Sequence, residues 1–218
     1  MVVASAQDRP DEVPAGLTEN TLARHAKKLA KLDPDMAQIL RTHGVPPLWS
    51  RDPGFVTLIR IILEQQVSLI SADAMFRRLQ THLQPLTPPA VLKAGTPFLR
   101  SIGITRQKAS YFINVSRAIE QGDLYLEQLA MQHDEIVIEQ LISVKGIGPW
   151  TARIYLLMAL GRPDVWPTGD IALATAVKNL KGLQHRPTQT QLADMSQAWA
   201  PYRATAARML WNYYLSGM

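Results

Sequence analysis

Apolar residues recur three and four positions apart along almost the whole chain, and a residue able to start or stop a helix stands beside most of these segments. Thr18 precedes a segment carrying Leu22, Ala26 and Leu29 on one face. Asp33-Pro34 opens a second, with Met36, Ile39 and Leu40 inward and Gly44 as its stop; Asp52-Pro53 opens a third, with Leu58, Ile59, Ile62 and Leu63. Proline at the first helical position gives up no needed hydrogen bond, so an Asp-Pro pair is a usable start signal. The same reading predicts helices over Ser68 to His82, Arg106 to Glu120 with Gly122 as its stop, Pro149 to Leu160, Asp170 to Leu180, Gln189 to Trp199 and Tyr202 to Leu215. Short helices fall around Ala90 and Pro97, after the breaker cluster Pro85 to Pro89, and Asp134 is expected to cap a helix through Leu141. No alternating run is long enough for a strand, so the expected fold class is all-α. Arg162 to Gly169 reads as a loop. That loop and the break at Val45 to Asp52 are the candidate boundaries.

Composition narrows the chemistry. Hydrophobic residues make up 47% of the 218, enough for a packed core and too many for a wholly disordered chain. No stretch of membrane-spanning length is free of charge. Met1 to Gly16 lacks the basic start and long apolar middle of a secretory signal, and reads as a flexible tail on a cytosolic protein. With no cysteine at all, disulfides, thiolate zinc sites, cysteine nucleophiles and iron–sulfur clusters are excluded. His25, His43, His82, His133 and His185 are scattered at no zinc-binding spacing. The net charge of +5 fits an anionic partner such as nucleic acid, as a weak signal.

The most specific segment runs Leu141-Ile-Ser-Val-Lys-Gly-Ile-Gly-Pro-Trp-Thr-Ala152, two helical stretches around the turn Lys145-Gly146-Ile147-Gly148. Glycines there let the backbone turn sharply and approach another surface closely. Amides opening the helix after Gly148 would point outward with the positive helix end behind them, a site for a phosphate, and Lys145 adds a mobile charge. Such contacts position DNA without reading its sequence. The bland reading is a helical corner with glycines for packing.

About twenty residues on, Val165-Trp-Pro-Thr-Gly169 leads into Asp170 and an apolar helix. Together with the hairpin this resembles the helix–hairpin–helix DNA glycosylase superfamily. Ile62-Leu-Glu-Gln-Gln-Val-Ser68 and Trp199-Ala-Pro-Tyr-Arg203, followed by Leu210-Trp211, are similar to its alkylbase (3-methyladenine type II) branch, and the likeness covers about Leu48 to Gly217. The form it implies lacks the additional N-terminal β-rich domain of some members. It implies two helical domains with the active-site cleft between them: residues 17–52 plus 163–218, and 53–162, the latter ending in the hairpin at about 134–160.

The resemblance also assigns roles. Asp170, otherwise a helix cap by residue type, becomes the catalytic carboxylate that stabilises the cationic sugar or activates water. Trp150 and Trp211 become pocket walls for a cationic alkylated purine. Trp166 and Trp199 read as core. Ile154 stands where the branch often has a further pocket tyrosine. Trp150 stands where bifunctional relatives place a lysine nucleophile, so the expected enzyme is monofunctional and leaves an abasic site. Lys145, Gly146, Gly148 and Thr151 are expected at the DNA. Gln65 or Gln66 would fill the gap left by the flipped base, and the resemblance points to Gln66. The backbone carbonyls of Ile142, Val144 and Ile147 would hold a monovalent cation; no other cofactor is expected. The partner implied is double-stranded DNA with damaged bases, met by a monomer in the cytoplasm (at the nucleoid) or in a eukaryotic nucleus. Two alternatives stay open at this level: a non-catalytic hairpin module, and a glycosylase for oxidised or mismatched bases.

Overall fold

The computed structural model describes residue 13 and residues 15–217. Most of the expected tail falls outside the described residues. Eleven α-helices form among them, and no strand. They are α1 (Glu19–Leu32), α2 (Pro34–His43), α3 (Phe55–Glu64), α4 (Leu69–His82), α5 (Pro88–Ser101), α6 (Arg106–Glu120), α7 (Asp134–Ile142), α8 (Pro149–Met158), α9 (Ile171–Leu180), α10 (Gln189–Ser196) and α11 (Arg203–Leu215). Thr18 and Asp33 start helices as the sequence indicated, and Ser68, Thr105 and Thr188 act as further caps that the sequence reading did not single out. Thr18, Asp33, Ser68, Thr105 and Thr188 each accept a first-turn amide, satisfying donors that a helix start leaves open.

Two helix starts differ from expectation, and one turn is additional to it. The helix expected at Asp52-Pro53 begins at Phe55, because Gly54 takes φ +137° and gives its amide to the Tyr155 hydroxyl at 2.9 Å. Asp134 is the first residue of α7 and caps nothing. Its carboxylate instead meets Arg162, which is 2% exposed, at 3.0 Å. Leu126–Met131 forms a 3₁₀ turn that no periodicity announced, and Arg162 holds its end by donating to the carbonyls of Ala130 and Gln132 at 3.0 and 2.8 Å. Within α5, Gly95 at φ +69° separates the two short helical pieces foreseen around Ala90 and Pro97.

Helices α1, α2, α9 and α11 pack on one another, as do α3 to α8, and one apolar core cluster runs through both groups. Trp166 and Trp199 lie in that core with ring centroids 5.3 Å apart. Arg208 of α11 is fully buried yet satisfied: it donates to Leu48 O, Ala204 O and Leu157 O at 2.8, 3.1 and 2.8 Å. Burial lowers its pKa to about 10, and the three carbonyls offset the cost of hiding a cation. This one side chain ties the chain before α3, the end of α8 and α11 together.

Candidate active site

Asp170 is the N-cap of α9. Its Oδ1 accepts the Leu173 amide at 2.9 Å. The approach to it is a tight turn in which Gly169 takes φ +88°, a backbone that favours glycine. The loop before it is gripped from α11: Arg203 donates its amide and Nε to Asp164 Oδ1 at 3.1 and 2.9 Å, and Nη2 to Oδ2 at 2.8 Å. The Ala204 amide adds a bond to Pro163 O at 3.1 Å. The Trp199-to-Arg203 motif therefore fixes the path of the chain into Asp170. Sequence alone placed that motif but not its partner.

Both candidate tryptophans converge on this carboxylate. Trp150, in the first turn of α8, donates Nε1–H to Oδ2 at 3.0 Å; Trp211, in α11, donates to Oδ1 at 3.3 Å. Three N–H donors on one carboxylate lock its orientation, and bonds to an ionised acceptor are about twice as strong as neutral ones. Asp170 is 9% exposed and lines an open pocket of about 230 Å³ with Gly169, Ile171, Arg186, Thr188 and Gln189. Neither indole lines that pocket, which Arg186 shares; what suits a cationic ligand is the carboxylate itself, flanked by two electron-rich rings. Ile154 is buried, and Tyr155, also buried, turns its hydroxyl to α3, so neither adds an aromatic wall here. Burial raises the Tyr155 pKa.

The hairpin is built from inside. Gly146 takes φ +114°, and a Cβ there would lie 2.4 Å from Tyr111 Cγ, so its missing side chain makes room for the α6 ring. Gly148 faces open space, and a Cβ would meet nothing within 4 Å. Lys145 is exposed, with its carbonyl held by Asn114 Nδ2 at 3.1 Å. Thr151, expected at a DNA surface, is 1% exposed, and its hydroxyl is taken by Gln65 Nε2 at 2.8 Å. Its side chain is structural because the second turn partner, Gln65, packs onto it and also donates to Gly146 O at 3.0 Å. Gln66 points the other way: it is exposed, at φ +56°, at the tip between α3 and α4. Buried Lys108 of α6 underpins that tip by donating to Leu63 O in the last turn of α3. Burial lowers the Lys108 pKa, with nearby Glu64 opposing.

For a metal, no group of three or more His, Cys, Asp or Glu among the described residues could hold one. The hairpin carbonyls differ: Val144 O accepts the Ile147 amide at 3.0 Å and keeps a second lone pair. Neutral oxygen donors of this kind fit a hard monovalent ion.

An all-helical chain in which a glycine hairpin stands beside an indole-bound aspartate is the architecture of a base excision protein, and the comparisons agree. A family model described as HhH-GPD superfamily base excision DNA repair protein matches residues 59–201, and the chain belongs to that superfamily. The structure of Schizosaccharomyces pombe 3-methyladenine DNA glycosylase Mag1 bound to abasic DNA superposes with a TM-score of 0.80 at 26% identity, covering 86% of this chain and 95% of that one. A Bacillus halodurans DNA-3-methyladenine glycosidase structure gives 0.73 at 30% identity, covering 87% and 88%. The Bacillus subtilis protein YfjP is 30% identical over 185 residues, 81% of this chain; the chain spans 64% of YfjP, less than two thirds of its length. No helix among the described residues is long and apolar enough to cross a membrane.

Proposed function

We propose that this protein is a monofunctional DNA glycosylase that flips alkylated purines of the 3-methyladenine and 7-methylguanine type from double-stranded DNA and hydrolyses their N-glycosidic bond. The observation that carries this reading is the convergence of Trp150 and Trp211 on the Asp170 carboxylate. The target base must leave the stack to be reached, and exposed Gln66 would occupy the gap. A methylated purine carries positive charge, so the indole faces bind it at roughly 0.5–2 kcal/mol per contact. As the bond to C1′ breaks, its electron pair goes to the base and cancels that charge. The sugar becomes cationic, and Asp170 stabilises it. Water adds its oxygen to C1′, a proton passes to the Asp170 carboxylate, and an abasic site remains.

Relatives named 3-methyladenine glycosylases support the substrate class. Half-buried Gly148, exposed Lys145 and the first amides of α8 grip a phosphate independently of damage, so binding weakens as salt rises. A monovalent cation on the carbonyls of Ile142, Val144 and Ile147 would supply positive charge facing that phosphate. Functionally the chain divides at 53 and 163, with the cleft between 53–162 and the remaining helices. The deciding experiment incubates the protein with duplexes carrying single damaged bases and identifies the base released. Release of alkylpurines is expected. Release of oxidised or mismatched bases alone, or binding without release, overturns the reading.

A further inference from the structure

Trp49 takes no part in the site as read so far, yet its backbone is one of only two non-glycine residues at positive φ among the described residues, at +49°. Side chains crowd the backbone there, and such conformations persist only where surrounding structure over-determines them, often at functional positions. Clamps stand on both sides. The carbonyl of Leu48 accepts Arg208 Nε at 2.8 Å, from a side chain that is fully buried. The amide of Arg51 donates to Met158 O at 2.9 Å, and the Arg51 guanidinium makes two bonds to Glu64 at 3.0 and 2.8 Å. What these clamps present is an indole: the half-buried Trp49 ring stands 6.5 Å from that of Trp211, at 70° to its plane.

Trp211 has one polar tether, its 3.3 Å bond to Asp170, which by itself does not fix the plane of the ring; with the side chain 9% exposed, packing must do so. The near-perpendicular Trp49 ring is the directional part of that packing, because aromatic pairs favour the tilted contact of a positive ring edge on a negative face. We infer that Trp49 is a positioning residue that sets the plane of Trp211 and so determines how well a cationic base is held once flipped. This rests on the glycosylase reading above. The structure spends a left-handed tryptophan on the contact, although glycine at the same place would fit the backbone without strain.

The test compares Trp49→Gly and Trp49→Phe with the parent in single-turnover release of methylpurines from methylated duplex DNA, over a range of protein concentrations, alongside thermal melting. For Trp49→Gly the maximal rate falls about tenfold, the scale of one lost desolvated cation–π contact. The half-saturating concentration stays within about twofold, because the DNA grip lies at the hairpin; Tm falls, because the ring's packing against the core is lost and the relief of positive φ offsets only part of it. Trp49→Phe restores the rate to within about threefold, since it keeps an aromatic face. An unchanged maximal rate in Trp49→Gly overturns the inference. So does a rate loss, measured at a temperature where every variant is fully folded, that phenylalanine does not rescue. A parent that releases no methylpurine refutes the glycosylase reading itself, and the inference falls with it; that outcome is visible before any variant is measured.

Discussion

Replacing Asp170 by Asn is nearly isosteric and separates charge from shape. The asparagine oxygen takes the place of Oδ1, keeping the Leu173 amide and Trp211, and Asn caps a helix about as well as Asp. The new amide nitrogen then faces the Trp150 Nε1–H across the 3.0 Å now spanned by a hydrogen bond, donor against donor. Leaving that part-buried donor unpaired costs at most about 1–3 kcal/mol of stability. A domain of this size loses roughly 2–4 °C of Tm per kcal/mol, so the variant stays folded at 25 °C. Chemistry suffers more. A carboxylate about 4 Å from a cationic C1′, at an effective dielectric near 20, contributes about 4 kcal/mol. That is about a thousandfold in rate. The assay is single-turnover release of methylpurines, run beside melting and DNA-binding titrations at several salt concentrations. Binding to undamaged duplex is unchanged or slightly tighter, because a negative charge has gone. A release rate within tenfold of the parent refutes the catalytic role of Asp170, whatever its geometry.

Borohydride added to a reaction with damaged DNA traps no covalent adduct, because Trp150 offers no amine where a Schiff base would form; an adduct seen in good yield on a denaturing gel contradicts the monofunctional assignment. Gly146→Ala lowers Tm sharply and by more than Gly148→Ala, since the first places a Cβ 2.4 Å from Tyr111 Cγ at φ +114° and the second meets nothing; positive φ alone costs about 1–2 kcal/mol, and equal Tm values for the two variants would refute this account of the hairpin. Burial, with Lys28 and Arg24 nearby, lowers the His25 pKa below 6.5. The unfolded chain therefore binds the proton more readily, and this part of the stability is present above pH 6.5 and lost as pH falls through the lower folded value. His25→Phe, which keeps a ring against Tyr202, flattens the fall in Tm between pH 8 and pH 5; an unaltered pH profile would dismiss His25 as its source.

The helices were legible because their signals are local. A cap and the amide it serves lie two or three residues apart, and a helix face repeats every three or four, so the starts at Thr18 and Asp33 could be read straight from the chain. Where a start was misplaced, a distant partner had intervened: Tyr155 fixes Gly54 from 101 residues away, and Arg162 draws the Asp134 carboxylate away from any capping role. The hairpin turn was visible in its glycines, but not the division of labour between them, because the Tyr111 ring that fills the space at Gly146 comes from α6.

The same divide runs through the site. By itself the sequence determined that the protein is helical, that Lys145 to Gly148 is a turn between helices, and that Asp170 starts a helix after a proline loop. Its resemblance to known glycosylases marked Trp150, Trp211 and Gln66 for attention. Only the tertiary structure decided that two indoles, 20 and 41 residues from Asp170, reach the same carboxylate. It also decided that Gln65 and Thr151 turn inward to each other while Gln66 is left outside, and that Trp49 stands against Trp211. Hydrogen bonds within one turn follow from backbone geometry that neighbours in the chain impose. Contacts between separate helices follow from how their apolar faces pack, and no short window of sequence contains that information.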